Sequence, residues 1–129
     1  MGKKIRILLL EDDPFHRGVL AEGLEEYYGY EADRAESPEQ AEALLSKRVP
    51  DLLVLDCVMG GDRLRVVAWA KELRRRPELS KIPILFVTAF FREMEEQVRG
   101  IDRSTILSKP FSFDDFIQKV RELTPTGGR

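Results

Sequence analysis

The stretch IRILLLEDDP, residues 5–14, places three acidic side chains directly after an almost unbroken apolar run. Three later apolar runs are also followed by polar residues: Asp56 after 52–55, Thr88 after 82–87, and Lys109-Pro110 after the short pair 106–107. Near-continuous apolar runs are typical of strands buried on both faces of a parallel sheet. Because ligand sites of open α/β sheets lie outside the carboxyl ends of the strands, we expect acids, a hydroxyl and an ammonium group to meet at one rim.

Helix signals separate these runs. Asp13 before Pro14 predicts a helix N-cap, and Gly29 predicts the end of that helix. A weaker strand is predicted over 30–35, and the further helices are predicted from Ser37, around Val66 to Leu73, over 91–98 and from Ser112. Alternating strands and helices predict an α/β fold, a doubly wound parallel sheet of five strands flanked by five helices.

The bulk composition excludes several classes of protein. A chain of 129 residues with a formal net charge of −2 predicts one domain with no direct nucleic-acid binding and no membrane association. The chain has one cysteine, so it forms no internal disulfide and fits a reducing compartment. Its start lacks the apolar length of a signal peptide, and no run is long enough to cross a membrane. We therefore expect a cytoplasmic protein.

From about Lys4 to Leu123 the chain resembles the receiver (CheY-like) domain of two-component response regulators. The resemblance rests on the acidic pair Asp12-Asp13 after the first strand, Asp56 after the third, Thr88 after the fourth and Lys109-Pro110-Phe111 after the fifth. It implies the strand order 2-1-3-4-5 of the flavodoxin/CheY-like fold. We expect a receiver domain over 1–123 and a flexible tail over 124–129.

The resemblance assigns roles to the acids. Asp56 would be the phosphoacceptor, since a carboxylate can attack phosphorus and form an aspartyl phosphate. Asp12, Asp13 and Asp56, with the backbone carbonyl of Val58, would hold Mg²⁺, whereas Glu11 is expected to be a bystander at the rim. A hard cation with oxygen ligands would relieve the repulsion between carboxylates on one rim.

The resemblance also gives roles to Thr88, Lys109 and Pro110. Thr88 would donate its hydroxyl to a phosphoryl oxygen, although alone it would be read as a helix N-cap. Lys109 would pair with Asp56 and then with the phosphoryl group, although alone it would be read as a solvated lysine. The Lys109–Pro110 peptide bond would be cis, the isomer that is cheap only before proline.

The implied function is a phosphorelay step. A sensor histidine kinase or a phosphotransfer protein would supply the phosphoryl group, and the modified domain would change its binding surface for an unidentified downstream protein. The face formed by the fourth helix, fifth strand and fifth helix would be that surface and a possible homodimer contact. The domain would be a signalling phosphoacceptor, not an enzyme, catalysing only its own phosphoryl transfer and dephosphorylation.

One departure from the family keeps an alternative open. Ile106 stands where the family usually has a tyrosine or phenylalanine that couples the site to the output face. This departure favours a receiver-like scaffold that binds partners without phosphorylation. A remoter alternative is a metal-dependent phosphohydrolase, but such enzymes place Asp-x-Asp at a strand end, and Asp56 is followed by Cys57 and Val58.

Overall fold

A computed structural model describes residues 4–57 and 63–124 of the chain. Its sheet has five parallel strands in the order β2-β1-β3-β4-β5. The strands are β1 (Arg6–Leu10), β2 (Glu31–Ala35), β3 (Leu52–Asp56), β4 (Ile84–Thr88) and β5 (Ser104–Ser108). The predicted fold class and strand order are confirmed.

Among the described residues, five α-helices cover the two faces of the sheet. They are α1 (Pro14–Tyr28), α2 (Pro38–Leu45), α3 (Arg63–Leu73), α4 (Phe91–Val98) and α5 (Phe113–Leu123). The predicted caps of α1 are present, because the Asp13 carboxylate accepts the Phe15 N–H at 3.0 Å and Gly29 has a left-handed φ of 69°. Ser37 and Ser112 cap α2 and α5 in the same way, each accepting from the N–H three residues on. The local sequence therefore fixes where these helices start.

The core consists of two apolar layers, one on each face of the sheet. One layer joins α2, α3 and α4 to the sheet, and the other joins α1 and α5 to it. Strands β3 and β4 are buried along their whole length, as their apolar runs predict. At the edge of the sheet, β5 extends from Ser104 to Ser108, well beyond the two apolar residues that predicted it. The strand pairs with β4 over five residues, but three of these residues are polar. The apolar pattern of the sequence therefore identifies only the middle of β5.

Arg74 fastens the amino-terminal side of the sheet. Its guanidinium donates to the carbonyl oxygens of Leu79 at 2.8 Å, Asp102 at 2.7 Å and Arg103 at 3.4 Å. These carbonyls belong to the connections before β4 and before β5, so one side chain holds α3 against both. Arg74, the first of three consecutive arginines at 74–76, therefore has a structural role.

Two parts of the sequence-based prediction lie outside the described residues: the backbone carbonyl of Val58 and most of the tail over 124–129. Within the described ranges, no helix combines the length and apolar character that crossing a membrane requires.

Candidate functional site

Three carboxylates meet at the carboxyl ends of β1 and β3. Oxygen atoms of Glu11, Asp12 and Asp56 all lie within 4.8 Å of one another. Asp56 is the last residue of β3 and only 4% of it is exposed, whereas Asp12 is exposed. The group therefore combines two buried acids with one that faces solvent, an arrangement of oxygen ligands suited to a hard divalent cation.

The acidic group differs from the predicted one in one member. Glu11 occupies the place predicted for Asp13, because the Asp13 carboxylate is turned to the start of α1. There it accepts the Phe15 N–H and lies 3.3 Å from His16 Nδ1. Metal ligation by Asp13 stays a prediction, and the expectation that Glu11 is a bystander does not fit its position. A sequence signal for Glu11 exists, since it is the first of the acids after β1.

Burial makes the Glu11 carboxylate hard to ionise. The pKa of Glu11 is raised from 4.5 to about 8, first by burial and then by hydrogen bonding and charge repulsion with Asp56. The Asp13 N–H, which donates to Glu11 Oε2 at 3.1 Å, and the Lys109 ammonium act in the opposite direction. A bound cation would offset the same repulsion, so the chemistry of the group fits a divalent metal.

Lys109 provides the cation that faces the acids. Its Nζ lies 3.2 Å from Asp56 Oδ2 and 3.8 Å from Glu11 Oε1, and about a quarter of its side chain is exposed. Its backbone N–H donates to the carbonyl oxygen of Thr88 at 2.8 Å, which ties the end of β5 to the end of β4. The Lys109–Pro110 peptide bond is cis. The ion pair between Lys109 and Asp56 is the one the resemblance implies.

Thr88 ends β4 and is fully buried. Its Oγ1 accepts the backbone N–H of Phe90 at 2.9 Å, while Phe90 itself occupies the N-cap position of α4 and provides no side-chain cap. The helix-cap alternative for Thr88 is therefore wrong. Because a threonine hydroxyl that accepts one hydrogen bond keeps its own proton, Thr88 retains a donor for a further oxygen.

Cys57 and Ile106 both contact the apolar core. Cys57 is fully buried, and burial followed by the charge of Asp56 raises the pKa of its thiol to about 12. A thiol is reactive as the thiolate, so this cysteine is inert at neutral pH. Ile106, in place of the usual aromatic, is half-buried and packs against the core layer under α4.

An apolar cavity of about 480 Å³ opens beside the rim. Its lining joins rim residues to apolar side chains of α1 and of the segment after β5: Glu11, His16, Val19, Leu20, Ala89, Lys109, Pro110, Phe111 and Phe113. Phe15 and Val19, on the exposed side of α1, are 72% and 46% exposed. An apolar surface therefore borders the approach to Asp56.

A family model described as the response regulator receiver domain matches residues 7–121. The phosphate regulon transcriptional regulatory protein PhoB of Rhizobium meliloti (strain 1021) is 32% identical over 120 residues, which cover 92% of this chain and 51% of PhoB. The polar-differentiation response regulator DivK of Brucella ovis is 31% identical over 117 residues, covering 89% of this chain and 92% of DivK. The chain thus spans about half the length of the PhoB relatives that it matches.

Solved structures agree in fold. The chemotaxis response regulator CheY4 of Vibrio cholerae has a TM-score of 0.83 at 20% identity, and the match covers 94% of this chain and 99% of CheY4. A putative response regulator from Chloroflexus aurantiacus has a TM-score of 0.73 at 28% identity, and the match covers 94% of this chain and 98% of that one. Because the family model matches from within β1 to the last turn of α5, this chain belongs to the receiver domains of two-component response regulators.

Proposed function

We propose that Asp56 is the phosphoacceptor of this receiver domain and that Lys109 and Thr88 assist the transfer. The observation that carries the proposal is the ion pair at 3.2 Å between Lys109 Nζ and Asp56 Oδ2, at the end of a fully buried strand. A buried aspartate with a lysine partner, a hydroxyl donor and two further acids is a costly arrangement for stability alone. The same set suits a reaction that brings a phosphoryl group to the rim.

The transfer is a displacement at phosphorus. A carboxylate oxygen of Asp56 forms the new bond to phosphorus while the bond from phosphorus to the donor atom breaks and its electron pair leaves with the donor. Negative charge spreads over the equatorial oxygens during such a transfer. Lys109 stabilises that charge as a point cation, and Thr88 donates its hydroxyl to one of the oxygens.

Magnesium is the proposed cofactor. Asp12, Asp56 and Glu11 would hold it through carboxylate oxygens, and the backbone carbonyl of Val58 and the Asp13 carboxylate remain predicted ligands. Bound there, Mg²⁺ would supply positive charge that offsets the negative charge of the phosphoryl oxygens. The raised pKa of Glu11 is consistent with this assignment, because repulsion from Asp56 adds to the effect of burial and a cation would offset that repulsion.

The proposed donor is a sensor histidine kinase or a phosphotransfer protein, and the product is an aspartyl phosphate that alters binding to a downstream protein. The apolar surface beside the rim supports docking of a protein donor there. The face of α4, β5 and α5 remains the proposed output surface and a possible homodimer contact. We also propose a cytoplasmic location and no enzymatic role beyond the domain's own phosphorylation and dephosphorylation.

Intact mass measurement after incubation with acetyl phosphate tests the proposal. We expect one added phosphoryl group that requires Mg²⁺ and is absent in Asp56→Asn. Asp114→Asn, an exposed acid in the first turn of α5, is the matched control and should be modified like the wild type.

A wild type that binds Mg²⁺ but gains no phosphoryl group would refute the proposal. That result would favour the phosphorylation-independent scaffold, which the half-buried Ile106 in place of an aromatic also favours. Continuous release of inorganic phosphate by Asp56→Asn would favour the phosphohydrolase instead, because the domain's own dephosphorylation requires an aspartyl phosphate at Asp56.

A further inference from the structure

Glu11 directly follows Leu10, the last residue of β1 that pairs with β2. Its N–H donates to the carbonyl oxygen of Ala35 at 3.0 Å, which continues the pairing of β1 with β2 by one residue. Its carbonyl oxygen accepts instead from a side chain, Nη1 of Arg17, at 2.8 Å. The main chain at Glu11 is thus held from one side by the sheet and from the other by α1.

Arg17 is attached to both ends of the acidic segment. Its backbone N–H donates to the carbonyl oxygen of Asp13 at 2.9 Å, a bond that belongs to the first turn of α1. Its side chain reaches back past that turn to Glu11, and Nη2 lies 3.9 Å from Glu36 Oε2. Only 19% of the side chain is exposed, so the guanidinium is a packed part of the structure.

The geometry of the acids depends on this attachment. The Glu11 carboxylate must lie among Asp12, Asp56 and Lys109, and its direction follows from the position of its own main chain. Arg17 donates to the main-chain carbonyl oxygen of Glu11. It therefore positions the backbone from which the Glu11 side chain extends, without neutralising the carboxylate. Groups that orient metal ligands in this way typically change metal affinity by 10–100-fold when they are removed.

We infer that Arg17 is a positioning residue for the metal and phosphoryl chemistry of the rim and that it acts through the backbone of Glu11. The inference rests on the function proposed above. It assigns a functional consequence to a hydrogen bond that would otherwise count only toward the stability of α1.

Three variants of Arg17 separate positioning from folding. Arg17→Met keeps the apolar stem and removes every donor; Arg17→Gln stays polar but its amide is too short to reach the same oxygen; Arg17→Lys keeps a charged donor at nearly full reach. Arg34→Met is the matched control, because Arg34 is an arginine on β2 that forms an exposed ion pair with Glu25. Folding of each variant is checked by circular dichroism and by its thermal midpoint.

The primary readout is the Kd for Mg²⁺, measured by titration calorimetry, with the rate of phosphorylation by acetyl phosphate as the second. We expect Arg17→Met and Arg17→Gln to raise the Kd by about tenfold, Arg17→Lys to recover most of the affinity, and Arg34→Met to stay within about twofold of the wild type. Arg17→Gln carries the test if Arg17→Met does not fold.

A lower thermal midpoint with a wild-type Kd and a wild-type phosphorylation rate would overturn the inference, since Arg17 would then be purely structural. Failure of the proposed function looks different. In that case the wild type itself takes up no phosphoryl group, whereas failure of the inference leaves the wild type active and the variants equal to it.

Discussion

Replacement of Glu11 by glutamine tests whether the rim holds a buried acid that resists ionisation. The pKa of Glu11 is about 8 in the folded chain, against 4.5 as its ordinary value. The folded state therefore binds this proton more tightly than the unfolded state. The contribution of protonated Glu11 to the free energy of unfolding is fully present below about pH 4.5 and is lost as the pH rises to about 8.

The size of the loss follows from the two pKa values. Each unit of difference between the folded and unfolded pKa of Glu11 is worth about 1.4 kcal/mol, so the whole difference corresponds to at most about 5 kcal/mol. Water penetration and relaxation reduce such penalties in real proteins, so we expect about 2–3 kcal/mol. Glu11→Gln keeps the shape and stays neutral, so its stability should change much less over the same range.

Urea unfolding at pH 5.5, 7.0 and 8.5 measures the effect, with EDTA in one series and excess Mg²⁺ in the other. We expect the free energy of unfolding of the wild type to fall with pH in EDTA and to be largely restored by Mg²⁺, which binds the ionised acids. A wild type whose stability in EDTA is flat between pH 5.5 and 8.5 would refute the reasoning. A Glu11→Gln variant with the full wild-type pH dependence would refute it equally, because the titrating group would then lie elsewhere.

Two predictions concern stability away from the rim. Arg74→Met removes the side chain that donates to three carbonyl oxygens, so it should lower the free energy of unfolding in urea titrations by about 2–3 kcal/mol. The control Arg75→Met, at the exposed neighbouring arginine, should change that free energy by less than about 0.5 kcal/mol. Equal effects of the two substitutions would contradict the role given to Arg74. Gly29→Ala should lower the thermal midpoint, because Gly29 has a left-handed φ of 69° and a side chain there costs about 1–2 kcal/mol. The control Gly100→Ala, where an added methyl group meets no other atom, should be neutral or slightly stabilising. An unchanged midpoint for Gly29→Ala would show that this left-handed position accepts a side chain.

The sequence predicts most of the scaffold because its signals are local. The apolar runs at 52–55 and 82–87 are long enough to identify buried strands, and Asp13, Gly29 and Ser37 mark helix ends by short-range hydrogen bonds and backbone conformation. These features depend on neighbours in the chain. They therefore needed no knowledge of the packing.

The details that the sequence did not show depend on residues far apart in the chain. Strand β5 owes its length to pairing with β4, and its serines and threonine limit its apolar run to two residues. Which two of the three consecutive acids lie close to Asp56 depends on where β1 ends and α1 begins. The sheet bond of Glu11 to Ala35 and the capping role of Asp13 decide it. The bond from Arg17 to the main chain at Glu11 leaves no pattern in the sequence, because the acceptor is a carbonyl that every residue has.

The surroundings of Trp69, the chain's one tryptophan, limit what its fluorescence can report. Its indole N–H donates to Glu42 Oε2 at 2.8 Å, and the same glutamate accepts two hydrogen bonds from Arg76. This emission therefore reports chiefly on the contact between α2 and α3, where the indole is partly buried against the core. Optical studies of phosphoryl transfer in this domain need a reporter placed next to the acids.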